Sequence, residues 1–303
     1  MTRNILLLFA LATSPVAIAQ TPGFTRTEDV IYGRKHGLAM TMDIFTPKEK
    51  PNGRGMIFCV SGGWFSSKES VNAFFLQEFL KRGYVCFAVV HGSQPRFTVP
   101  EVLDDMHRAV RFIRTHAKKY AIDPETLGIT GASAGGHLSL MQGTAPRPGD
   151  PKAKDVVERE SSRVAVVGCF FPPTDFMNYG KEGQVNLGRG ILEGFKAPFD
   201  FVEIDPVTRS YNPVFDEGKR RAIGKQISPI THVSEESAPA LIIHGDKDEL
   251  VPLQQAERII AKYREKKVPC ELVVKAGAAH GWPGIDKDLV TIADWFDKYP
   301  AQK

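Results

Sequence analysis

The chain has little that could serve as a membrane span, a covalent staple or a polyelectrolyte surface. No tract of 18 or more residues is apolar throughout, which excludes a long membrane-crossing helix. Acids and bases nearly cancel, 35 against 39, for a formal net charge of +4. So small and evenly spread an excess argues against nucleic acid or an anionic membrane as partner. There is no internal repeat and no low-complexity tract, so solenoid and disordered architectures are set aside. Only four cysteines occur in 303 residues. A chain of this size buries about three quarters of its extended surface and needs neither disulfide nor metal to hold a core.

What is present is ordinary globular composition, 42% hydrophobic and 24% charged, with informative ends and runs. Residues 1–19 read as a secretory signal: Arg3, an apolar run from Ile5 to Ala12, and Ala17-Ile18-Ala19 before Gln20. Pro15 speaks against a buried helix there. Export would permit disulfides, yet Cys59, Cys86 and Cys169 each sit inside an apolar strand-like run and Cys270 opens another. Buried free thiols are expected, with a Cys59–Cys86 bridge left open.

Residues 27–46 alternate around Lys35-His36-Gly37, the pattern of an antiparallel hairpin. Beyond Pro51-Asn52-Gly53, continuous apolar runs alternate with helical periods. The runs are Met56–Val60, Tyr84–Val90, Leu127–Thr130, Val164–Phe171, Leu241–His244 and Leu272–Val274. Val71, Phe74, Phe75 and Phe79 recur at helix spacing, as do Leu103, Met106, Val110, Ile113, Ala117 and Tyr120. Buried strands separated by helices imply an α/β class, a mostly parallel sheet covered on both faces. Residues 172–239 break the alternation and read as an inserted lid or pocket wall within a single catalytic domain over 20–303.

The sharpest local signal is Gly131-Ala132-Ser133-Ala134-Gly135-Gly136. By composition alone a G-x-S-x-G string arises in about one chain in ten of this length. Here it follows the strand-like Leu127–Thr130 and precedes a helical run from His137, the strand–turn–helix setting of a nucleophile elbow. A serine hydroxyl needs a base, and in this setting an acid and then a histidine follow on later strands. Asp248 follows Leu241–His244, and His280 follows Leu272–Val274, both at carboxyl ends of strands. Ser133 is thus read as nucleophile, His280 as base and Asp248 as the acid that orients it.

Asp246 is the rival acid, but it directly follows Gly245 and is read as tying the turn. His36, His107 and His116 fit surface or packing roles. His91, His137, His232 and His244 lie nearer the site and are read as structural hydrogen-bonding groups, since none follows the last strand. Val60-Ser61-Gly62-Gly63-Trp64 ends an early strand, where the Gly62 and Gly63 N–H groups would complete an oxyanion hole with that of Ala134.

Together these motifs resemble the α/β-hydrolase superfamily, in particular the esterase/lipase group related to hormone-sensitive lipase and the feruloyl-esterase-like (BD-FAE) enzymes. The resemblance spans about residues 40–298. It includes Ser61-Gly62-Gly63-Trp64, Asp123-Pro124, the elbow through His137-Leu138, Ser228-Pro229-Ile230, His244 through Pro252, and Ala279-His280-Gly281-Trp282. One departure stands out. The family loop usually begins His-Gly, and aligned on Trp64 this chain has Val60 and Ser61 there. The resemblance implies a secreted serine carboxylesterase without metal or cofactor, acting on small-molecule or carbohydrate esters, acetyl or feruloyl esters of polysaccharides among them. Trp64, Phe65 and the inserted segment would line the substrate pocket, with a packing role for Trp64 as the equal alternative. The alternatives are a serine exopeptidase or amidase like the prolyl-oligopeptidase and arylformamidase relatives, or a binding protein on the same scaffold.

Overall fold

A computed structural model describes residues 23–300, so the signal-like segment lies outside the described residues. The chain forms ten strands and six α-helices among these residues. The first hairpin is β1 (Phe24–Lys35) and β2 (Leu38–Pro47), closed by His36 and Gly37, both at positive φ. Then come β3 (Gly55–Val60), α1 (Gln77–Lys81), β4 (Val85–Val90), α2 (Val99–Thr115), β5 (Gly128–Ala132), α3 (Ala134–Thr144) and β6 (Val166–Phe170). The inserted segment carries β7 (Val202–Ile204), β8 (Tyr211–Pro213) and α4 (Glu217–Gln226). The chain closes with β9 (Ala240–Gly245), α5 (Gln254–Glu265), β10 (Cys270–Lys275) and α6 (Leu289–Lys298).

Eight strands make one sheet in the order β1-β2-β4-β3-β5-β6-β9-β10, in which only β2 runs against the others. Strand periodicity explains the two cores. In β4, Val85, Phe87 and Val89 face α2, α3 and α5, while Cys86 and Ala88 face α1 and α6. Both faces are covered, as continuous apolar strands require.

The same alternation excludes the Cys59–Cys86 bridge. Cys59 belongs to the α2/α3/α5 face and Cys86 to the α1/α6 face, so the sheet lies between their sulfurs. All four cysteines are free. One further expectation changes. The helix expected across Val71–Phe79 is α-helical only from Gln77, because Asn72 accepts from Phe74 N–H and tightens the preceding residues into a 3₁₀ turn. Within residues 172–239, Phe176, Tyr179, Leu187, Phe199 and Ile227 join the core on the α3 face.

Candidate active site

The elbow forms because β5 turns into α3 with almost no intervening chain. Ser133 takes φ 54° and ψ −119°, a conformation that costs a non-glycine residue of order 1–3 kcal/mol. Its backbone is held at both ends: its N–H donates to Phe170 O at 3.0 Å, and its carbonyl accepts from His137 N–H at 2.9 Å. The turn is tight enough that a Cβ on Gly131 would come within 2.5 Å of the Gly135 backbone. Only glycine fits.

Ser133 Oγ lies 3.0 Å from His280 Nε2, and His280 Nδ1 lies 2.7 Å from Asp248 Oδ2. Residues 147 and 32 positions apart in sequence meet because the loops after β9 and β10 lace together. Lys247 N–H donates to Ala278 O, and Gly277 N–H donates to Asp246 Oδ1. Asp246 is therefore a turn tie between the two loops, and Asp248 is the carboxylate that reaches the imidazole. The Phe171 ring packs 4.4 Å from that imidazole, centroid to centroid.

Asp248 is buried and receives four donors. Oδ1 accepts from the N–H groups of Leu250 and Val251, and Oδ2 faces both His280 Nδ1 and His244 Nε2, the latter at 3.3 Å. Burial alone would push its carboxyl up, but the hydrogen bonds from His244, His280 and Val251 outweigh it and hold the group well below the usual carboxylate range. His244 Nε2 also lies 2.7 Å from Val251 O. Both neighbours of that nitrogen are acceptors, so the proton sits on Nε2. His244 is thus the structural hydrogen-bonding group expected, and the fold makes it the second donor to the acid, a relation that only its i, i+4 spacing to Asp248 hints at.

The loop after β3 is a two-residue hairpin. Gly62 and Phe65 exchange both backbone hydrogen bonds, at 3.0 and 2.9 Å, around Gly63 and Trp64, whose φ values are 55° and 60°. Two positive φ angles in a row are the mark of a type I′ turn, whose twist suits a hairpin. A Cβ on Gly63 would also meet the Phe195 ring at 2.4 Å. This geometry corrects the oxyanion assignment. The Gly62 N–H is spent on Phe65 O inside the turn. Among the described residues the Gly63 N–H has no such acceptor, and Ala134 N–H, first in α3, has none within the helix.

Trp64 is also corrected. It is 2% exposed and packed against His137, Phe176 and Phe199. Its Nε1–H donates to His137 Nδ1 at 3.2 Å, and His137 Nε2 bonds Ile227 O at 2.7 Å. One imidazole thus ties the hairpin, the elbow helix and the inserted segment together. Burial pushes His137 down to about 4, so it holds this bridge as the neutral ring. On the hairpin's other edge, His91 Nε2 lies 2.8 Å from Ser61 Oγ, and Ser66 Oγ donates to Val60 O at 2.5 Å. Val60 and Ser61, which replace the family's usual His-Gly, are thereby held from neighbouring chain. Neither brace was legible in advance, since each joins residues at least six positions apart.

Among the described residues no cluster of three or more His, Cys, Asp or Glu side chains could hold a metal ion, and no helix is long and apolar enough to cross a membrane.

Known proteins set this arrangement in context. A probable carboxylic ester hydrolase, LipM, from Mycobacterium tuberculosis is 29% identical over 82% of this chain and 56% of its own length. An acetylxylan esterase from Xylanibacter ruminicola is 30% identical over 86% of this chain and 49% of its own. The chain spans about half the length of the curated relatives it matches. Among solved structures, a truncated carbohydrate esterase from gut microbiota superposes with a TM-score of 0.73 at 24% identity, covering 93% of this chain and 98% of that one. That likeness establishes the α/β-hydrolase fold. The BD-FAE family model matches residues 42–263, and the chain belongs to that family of the α/β-hydrolase esterase/lipase group.

Proposed function

We propose that this protein hydrolyses carboxylic esters through an acyl-enzyme on Ser133. The observation that carries the reading is the unbroken relay from Ser133 Oγ to His280 Nε2 at 3.0 Å and from His280 Nδ1 to Asp248 at 2.7 Å. Ser133 Oγ bonds to the ester carbonyl carbon while His280 Nε2 takes its proton. The carbonyl π pair becomes an oxyanion, stabilised by the N–H groups of Gly63 and Ala134. As the oxyanion collapses, the C–O bond to the alcohol breaks and His280 returns the proton to the leaving oxygen. Water, deprotonated by the same imidazole, then attacks the acyl-enzyme and releases the acid. Asp248 keeps the imidazole oriented and stabilises its cationic form without taking the proton.

Esters of small molecules and of carbohydrates are the substrates we assign. Support comes from relatives named as an acetylxylan esterase and a carboxylic ester hydrolase. Export belongs to the same proposal, and N-terminal sequencing of material recovered outside the cytoplasm would find Gln20 first.

A fluorophosphonate probe tests the chemistry. Wild type should be labelled and should hydrolyse p-nitrophenyl acetate; Ser133→Ala should lose both, by about 10⁴-fold or more in kcat. A folded wild type that neither takes the probe nor cleaves an ester would reject the proposal.

A further inference from the structure

Strands β3 and β5 pair only from Met56 to Phe58 and from Gly128 to Thr130. Beyond that point they part, one into the hairpin and the other into the elbow, and a crevice of about 320 Å³ opens between them on the α1/α6 face. Open α/β sheets bind ligands at such places, outside the carboxyl ends of strands where the connections diverge. Phe58 and Phe75 stack at 5.7 Å to form one wall, and Phe170, Ile285 and Leu289 form the other. Phe65, 49% exposed, stands at the hairpin edge. Gly62 and Ala132 also line it, so the crevice comes within one residue in sequence of Gly63 and of Ser133.

No Asp, Glu, Lys, Arg or His lines this space. Its hydroxyl residues are Ser61, paired with His91, Ser70, paired with Ser67, and the buried Thr130. A sugar would lose hydration here and find few partners, which is costly. A hydrocarbon or aromatic group would lose nothing. At the ~30 Å³ that a water takes up in the liquid, the volume suits roughly ten non-hydrogen atoms.

We propose that this crevice is the acyl subsite and that it selects apolar acyl groups larger than acetyl, up to about ten non-hydrogen atoms. The inference rests on the ester-hydrolase reading above. Each methylene buried there should raise kcat/KM about fourfold until the space is full.

The test is a p-nitrophenyl series from acetate to decanoate, run beside a series of hexanoates with different alcohols. Wild type should prefer hexanoate over acetate by at least about tenfold. Ile285→Trp, which fills the crevice from a half-buried turn, should cut that ratio about tenfold or more. Phe75→Ala, which deepens it, should move the optimum to longer chains. The proposal is overturned if neither variant shifts the acyl ratio, or if both shift the alcohol series instead. A wild type labelled on Ser133 that hydrolyses only acetate also overturns it, while leaving the ester-hydrolase reading intact. A wild type that takes no probe and cleaves no ester sinks the underlying reading and the subsite with it.

Discussion

Trp64 and Phe65 are consecutive in one hairpin, yet they do opposite work. Trp64 fills a dry aromatic cluster with Phe176 and Phe199 and is tied through His137 to the elbow helix. Phe65 is half exposed and edges the uncharged crevice on the opposite face. The difference teaches how a two-residue turn with two positive φ angles can be held in place: one flank is packed solid so that the other can stay hollow. A single aromatic pair in sequence divides into an anchor and a wall: Trp64 sits inside the turn at φ 60°, while Phe65 closes it.

Four experiments would break or sharpen this contrast. Asp248→Asn touches neither flank and sets the scale for chemistry, with kcat expected to fall about 10⁴-fold; Tm should fall too, because the amide cannot accept from all four donors. If Asp246→Asn lost activity instead, the wrong acid has been chosen. On the packed flank, Trp64→Ala removes a fully buried indole and should cost about 3–5 kcal/mol in denaturant unfolding, along with much of kcat. On the hollow flank, Phe65→Ala should stay within about 1 kcal/mol of wild type and act mainly through KM. Equal losses from the two would erase the distinction.

The third experiment uses pH. Burial holds the folded imidazoles of His91 and His137 at about 4, below the 6.5 of the unfolded chain. Between those values the unfolded chain binds more protons, so this stability is complete above about pH 6.5 and drains away as pH falls towards 4. For His137 the swing is on the order of 3 kcal/mol. Calorimetric Tm should therefore drop across that window, and His137→Gln should flatten part of the drop. An unchanged slope would show that the ring is not held neutral on the packed flank. The smallest effect is expected from His244→Leu, which removes one of four donors to Asp248: about 10-fold in kcat, with partial rescue by His244→Gln, whose amide N–H can occupy the same position.

Much of this architecture was readable in advance, and the physical reason is locality. Strands buried on both faces must be continuously apolar, so the runs Tyr84–Val90 and Leu241–His244 announce the strands Val85–Val90 and Ala240–Gly245. The elbow is local in part, since Gly131 is demanded by the turn it opens, whereas a Cβ on Gly135 would meet Cys59 O of β3 at 2.8 Å. The Gly62 donor failed as an expectation because a glycine pair signals a turn without saying which N–H the turn consumes. Trp64 failed because an exposed aromatic and a buried one look alike in a loop until a partner such as His137 is placed beside it.

Local covalent geometry and hydrophobic period thus determined the strands and the glycine-flanked serine turn, since each depends on residues a few positions apart. Tertiary structure alone decided that Asp248 receives two imidazoles, that Trp64 anchors and Phe65 borders a cavity, and that Cys59 and Cys86 lie on opposite sides of a sheet. Those outcomes depend on which distant chains share a face, and no stretch of sequence carries that information by itself.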